Sequence, residues 1–199
     1  MKYNEIYPTI IGRYVVSDSD DLNRGLAELL YSMRADDINI EASQHSMRGT
    51  NGYHTDISVL KKDNKYVKAF HQIISKEVID YFGKTTGKSI KNAELTSWGM
   101  IYGHGAYSEK HTHPKADLAV VYYVKTPLDL PSSDGVLEIQ DPRPAARWGI
   151  NCRNLFFSAK PTEGTGVVFP AWLEHYVTPH YKDSDRIAIA TNVFIDYED

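Results

Sequence analysis

Leu118-Ala-Val-Val-Tyr-Tyr-Val-Lys125 decides the fold. The segment is short and made almost entirely of β-branched and aromatic residues, so it reads as a strand. Segments of the same character surround it: Leu95–Tyr102, Val136–Gln140, Asn154–Ser158, Gly166–Phe169 and Arg186–Asp196, separated by Gly, Pro, Asn and Asp. Many short strands at such spacing predict a sandwich or jelly roll.

Upstream of about Lys91 the period changes. Ser19 or Asp20 can cap a helix that places Leu22, Leu26, Leu29, Leu30 and Met33 on one face. A second helix carries Val67, Phe70, Ile74, Val78 and Tyr81, with Gly83 as its stop signal. The polar, glycine-containing stretch 46–56 between them reads as a loop. Helices gathered before strands are expected to pack on the outside of one sheet. The expected architecture is mainly β with N-terminal helices, a cupin-like double-stranded β-helix (jelly roll). It is expected as one domain over 1–199, with 1–93 as helical support and 94–199 carrying the core strands and a metal site.

Composition narrows the function. The 199 residues carry 22 basic and 26 acidic side chains, a net charge of −4, with no basic stripe. That argues against a nucleic-acid partner. One cysteine, Cys152, cannot close an internal disulfide and suggests a reducing compartment. The opening MKYNEIYPTIIGRYVV is too polar for a signal peptide. No apolar run approaches the roughly 20 residues that span a bilayer. Cytoplasmic residence without a membrane partner is the expectation.

The chemistry concentrates in Lys110-His111-Thr112-His113-Pro114. On an extended chain, residues two apart share a face, so both rings can aim into a barrel. Neutral imidazole ligates iron, zinc, copper or nickel. A third ring, His175, stands at the end of Phe169-Pro-Ala-Trp-Leu-Glu-His175, near a later strand that a jelly roll brings close. His45, His54, His71, His104 and His180 lack a partner at ligand spacing and default to surface or core duty, although His54 lies in a loop within reach of a site.

Several ordered motifs carry a resemblance: Tyr102, Gly105, Tyr107, His111 and His113; Val121-Tyr-Tyr-Val124; Gly135 with Asp141-Pro-Arg143; Gly166-Val-Val-Phe-Pro170 with Trp172-Leu173; His175-Tyr-Val177 with Pro179; and Arg186-Ile-Ala-Ile189 with Asn192. Together with the Tyr7-Pro-Thr9 start, the set resembles a family of 2-oxoglutarate–Fe(II) oxygenases of bacteria and phages, most without an assigned substrate. It is also similar to the wider prolyl hydroxylase group. The resemblance implies Fe(II) and 2-oxoglutarate as cofactors, and hydroxylation of a small-molecule or peptide substrate with succinate and CO2 as coproducts. It makes His111 and His175 iron ligands. It makes Arg186 the grip on the far carboxylate of 2-oxoglutarate, a pairing that suits a rigid fork of donors. Tyr123 helps hold that carboxylate and Tyr102 lines the cosubstrate pocket. Consecutive tyrosines in a strand face opposite ways, so one of Tyr122 and Tyr123 serves packing. The alternative for Arg186 is a surface pairing with Asp183 or Asp185.

The sequence departs from the wider group at position 113, where histidine replaces the usual carboxylate. His113 can be the third ligand, water can complete the shell, or Asp117 or Asp141 can supply the oxygen. Strand geometry favours His113. Two loops, 45–57 and 141–153, are candidate covers that bring Arg48, Asn51, His54, Arg143, Arg147 and Trp148. Rival readings are a metal-dependent cupin that works without 2-oxoglutarate, and a jelly-roll binding protein indifferent to metal. A homodimer through a sheet edge is a mild expectation.

Overall fold

A computed structural model describes residues 2, 8–38, 52–143 and 155–197. Arg48, Asn51, Arg147, Trp148, Cys152, His45 and Tyr7 lie outside the described residues. Two antiparallel sheets form the framework. The larger has the order β1-β8-β5-β10-β3-β2 and the smaller β4-β9-β6-β7. In chain order, β1 is Gly12–Val15, β2 Gly52–His54, β3 Ile90–Tyr102, β4 Ser108–His111 and β5 Leu118–Lys125. They are followed by β6 Leu137–Gln140, β7 Phe156–Ala159, β8 Thr165–Pro170, β9 His175–Val177 and β10 Arg186–Tyr197. Helices α1 (Asp20–Ile38) and α2 (Lys65–Thr86) cover one face of the larger sheet. This is the jelly-roll arrangement expected from the strand spacing.

Strict alternation along β5 and β10 makes two cores from one sheet. Leu118, Val120, Tyr122 and Val124, with Ile187, Ile189 and Val193, pack against Leu26, Leu30, Phe70 and Ile74 of the helices. Ala119, Val121 and Tyr123, with Ala188 and Ala190, face the space between the sheets, where Leu137, Ile139 and Val177 close the far side. The residues between the sheets are smaller on β10, and this leaves room for a cavity.

Several local expectations need correction. Helix α2 runs through Gly83 and ends at Gly87, whose φ of 72° and N–H donation to the Gly83 carbonyl (2.9 Å) make it the cap. The hydroxyl of Thr86 bonds the Phe82 carbonyl at 2.7 Å and helps carry the helix past Gly83. The stretch 46–56 is not loop throughout, because Gly52–His54 pairs with β3 in the register Gly52↔Tyr102 and His54↔Met100. Strand β3 starts at Ile90 rather than Leu95, since β10 pairs with it along the whole length from Tyr102 to Ile90. Strands β1, β4 and β9 carry too few apolar residues to announce themselves, and pairing with neighbours defines them. None of the described helices is long and apolar enough to cross a membrane.

Candidate active site

The three histidines of the sequence motif converge. Strand β4 pairs with β9 so that His111 and His175 stand directly opposite each other. His113 lies two residues past His111, just beyond the end of β4 and not on the strand itself. Its backbone N–H donates to the Ala171 carbonyl at 3.0 Å, which fixes the turn against the segment leading to His175. Ring centroids are 4.3 Å apart for His111 and His175, 4.9 Å for His113 and His175, and 5.1 Å for His111 and His113. One ring nitrogen from each lies within 4.8 Å of the other two.

Tautomers follow from the partners. The Nδ1–H of His111 donates to the Glu109 carbonyl (2.7 Å) and that of His175 to the Leu173 carbonyl (2.8 Å). Both leave the Nε2 lone pair for a ligand. His113 Nε2 and His175 Nε2 are 3.0 Å apart. At that separation both nitrogens would be able to hold one metal ion. Without a metal, an N–H···N bond fits the same gap. Burial, and then the neighbouring His111, lowers the His113 pKa to about 4 and that of His175 to about 3. Both rings are therefore neutral at physiological pH, the state a divalent ion requires.

Neither candidate acid joins the cluster. Asp117 accepts from the Ile195 backbone N–H at 2.7 Å, and Asp141 is paired with the Arg143 guanidinium at 2.7 Å. The donor set among the described residues is three imidazoles, which suits Fe(II) among other divalent ions. Trp98, which the sequence reading did not single out, lies against His113 with ring centroids 5.6 Å apart.

A cavity of about 440 Å³, within the size range of small-molecule sites, is lined by the three histidines and also by Arg186, Tyr102 and His54. Arg186 opens β10 opposite Tyr102. Its side chain is completely buried, and among the described residues no aspartate is paired with it. Asp185 instead accepts from the Tyr31 hydroxyl (3.1 Å) and faces Arg34 at 3.6 Å. The Nε–H of Arg186 donates to the Gly135 carbonyl at 3.0 Å, while Nη1 and Nη2 have no hydrogen-bond partner among the described residues. A buried, half-satisfied guanidinium is costly and calls for an anion. Gly135 has φ of 62°, and a Cβ there would come within 3.1 Å of Arg186 Cδ, so glycine keeps this carbonyl in place.

Two phenol rings flank the guanidinium, Tyr123 at 5.1 Å and Tyr102 at 5.8 Å from its central carbon. Burial raises the pKa of both tyrosines, and the charge of Arg186 offsets part of the rise. Tyr123 donates to the Ala159 carbonyl at 3.3 Å. Its neighbour Tyr122 points to the helix side and donates to Asn23 at 2.7 Å, so the packing member of the pair is Tyr122.

The other histidines divide. His71 and His104 are exposed. His180 is buried against the Tyr102 carbonyl at 2.8 Å. His54, expected on a loop, sits on β2 and lines the cavity, with Nε2 2.9 Å from the Tyr102 hydroxyl. Nothing in its sequence neighbourhood signalled a strand.

Residues 96–192 match the model of a family described as "Putative 2OG-Fe(II) oxygenase". No curated protein matches the sequence. Among solved structures, a Pseudomonas putida prolyl-4-hydroxylase superposes with a TM-score of 0.65 at 16% identity, covering 94% of this chain and 92% of that one. A Trichoplax adhaerens prolyl hydroxylase, solved with a hypoxia inducible factor peptide fragment, gives 0.62 at 15% identity over 92% and 83%. A viral collagen prolyl hydroxylase from Paramecium Bursaria Chlorella virus-1, solved as a 2OG complex, gives 0.58 at 15% identity over 92% and 94%.

Proposed function

Within the 2-oxoglutarate–Fe(II) oxygenases, the family to which this chain belongs, we propose that His111, His113 and His175 hold the Fe(II) and that Arg186, Tyr123 and Tyr102 hold 2-oxoglutarate. The observation that carries the reading is a single cavity lined both by three convergent imidazoles and by a buried guanidinium with two nitrogens unpartnered among the described residues. When bound, Fe(II) and 2-oxoglutarate supply oxidising power from dioxygen, with succinate and CO2 as coproducts.

The protein's own contribution is placement and charge. The Glu109 and Leu173 carbonyls fix two ring tautomers before any ion arrives. The Gly135 carbonyl holds the guanidinium by its Nε–H, leaving the forked end to bind a carboxylate bidentately. Leu137, Val177 and Met100 give the same cavity an apolar lining, which strengthens each polar contact inside. With three neutral ligands, the Fe(II) site carries one more positive charge than a two-histidine, one-carboxylate site. That charge favours the 2-oxoglutarate dianion.

The substrate in this reading is a peptide or small molecule. Support comes from the peptide fragment held by the Trichoplax adhaerens enzyme and from the net charge of −4, which disfavours nucleic acid. Cytoplasmic residence rests on the single cysteine, and pairing of two chains on the sheet edges at β2 and β7.

The test is metal and 2-oxoglutarate titration of the purified protein, followed by succinate release with and without dioxygen. The expected result is one metal per chain, cosubstrate binding that needs the metal, and succinate release that needs both gas and metal. Unchanged metal binding in His111→Ala and His175→Ala overturns the ligand assignment. Unchanged 2-oxoglutarate binding in Arg186→Met overturns the cosubstrate assignment.

A further inference from the structure

Strand β2 is an edge strand outside the segment that matches the family model, yet it touches the site twice. The first contact is Gly52. It pairs with Tyr102, and a Cβ at position 52 would fall 2.7 Å from Cδ1 and Cε1 of the Tyr102 ring. Only glycine lets the strand lie flat on that ring. The second contact is His54, which is 8% exposed and places Nε2 2.9 Å from the Tyr102 hydroxyl, with the two rings 5.5 Å apart. The same tyrosine is held at its backbone by His180, whose Nε2 lies 2.8 Å from the Tyr102 carbonyl. Tyr102 is therefore fixed at its main chain, its ring face and its hydroxyl.

We propose that β2 is a positioning strand for the cosubstrate end of the cavity, with His54 setting the direction of the Tyr102 O–H through Gly52-dependent close packing. The inference rests on the assignment of Tyr102 to the 2-oxoglutarate pocket. A neutral imidazole and a phenol share two polar hydrogens, and their mutual bond uses one. If His54 Nε2–H donates to the Tyr102 oxygen, the phenol hydrogen is free to donate to an anion beside Arg186. If the phenol donates to His54 instead, it meets the anion with lone pairs. A carboxylate ligand selects the first arrangement. His54 touches neither metal nor reacting atoms here and acts through Tyr102.

The experiment uses the full chain loaded with Mn(II) without dioxygen, and measures 2-oxoglutarate binding by calorimetry for wild type, His54→Ala, His54→Gln, Gly52→Ala, Tyr102→Phe, Arg186→Met and the His54→Ala/Tyr102→Phe double variant. One misdirected hydrogen bond predicts binding about three- to tenfold weaker in His54→Ala. His54→Gln keeps an N–H donor and is expected to recover part of the loss. Gly52→Ala is expected to weaken binding as well, by displacing the ring. Mn(II) affinity should stay within twofold of wild type in the His54 variants, which also reports that they fold. In the double variant the loss should match Tyr102→Phe alone.

Binding by His54→Ala within twofold of wild type overturns the inference, as does a His54→Ala loss that persists in full on the Tyr102→Phe background. If wild type itself fails to bind 2-oxoglutarate, or Arg186→Met binds it equally well, the cosubstrate assignment falls and takes the inference with it. If Arg186→Met loses binding and the His54 variants do not, only the inference fails.

Discussion

The two faces of the larger sheet are built from alternate residues of the same strands, and they obey different rules. On the helix face, Ile187, Ile189 and Val193 of β10 meet Leu30 and Phe70 in a closed apolar core. On the other face, Ala188 and Ala190 are small, and Arg186 has polar atoms with no partner among the described residues. One face maximises packing, while the other gives up packing and polar satisfaction to leave a charged cavity. Under the proposed assignment, stability and ligand binding are separable by residue parity along a single strand.

The largest expected effect lies on the cavity face. Arg186→Met should cost about 4 kcal/mol or more of 2-oxoglutarate affinity, roughly a thousandfold, because the ligand's carboxylate loses a buried bidentate partner. The ligand-free protein should lose little stability or gain some, since an unpaired buried charge is removed. Calorimetric titration and thermal melts check the two halves, and a strongly lowered melting point would contradict the separation. On the helix face, Ile189→Ala should destabilise by about 3 kcal/mol, because a fully buried side chain leaves a void. Its affinity for 2-oxoglutarate, measured on the folded fraction, should not change.

Acid should act through the histidines that line the cavity. Burial, and then His111, lowers the pKa of His54 from 6.5 to about 4 and that of His175 to about 3. In the unfolded chain both rings titrate near 6.5, so below that pH the unfolded state takes up protons first. Stability of the metal-free protein is therefore full above about 6.5 and declines as pH falls toward the folded values, by about 2 kcal/mol per ring at pH 5. Denaturant midpoints at pH 7.5 and pH 5 measure this, and equal midpoints would show the rings to be solvated. The smallest stability effect is expected for Ala190→Val, under about 1 kcal/mol, since the added methyls enter existing space. Ligand affinity should fall in this variant while the melting point holds.

The same parity explains what could be read in advance. Strands β5, β8 and β10 have dense runs of β-branched and aromatic residues, and the helices keep their spacing, so the architecture was legible. The convergence of the three histidines was legible because His111 and His113 share a face and His175 follows a recognisable run. Strands β2 (GYH) and β4 (SEKH) were not, because edge strands of three or four mostly polar residues are set by the register of their neighbours. His54 was hidden for that reason, as was the position of His113 past the strand end. Gly83 misled because a glycine inside a helix is tolerated when hydroxyls and a later glycine complete the cap.

One feature of the layout reaches beyond individual residues. His111 and His175 stand on β4 and β9 of the smaller sheet, whereas Arg186, Tyr123 and Tyr102 stand on β10, β5 and β3 of the larger one. A cosubstrate gripped by both sets becomes a rivet through the sandwich. Its length then gauges the gap between the two layers, and loading should slow amide exchange in both layers at once, far from any atom it touches.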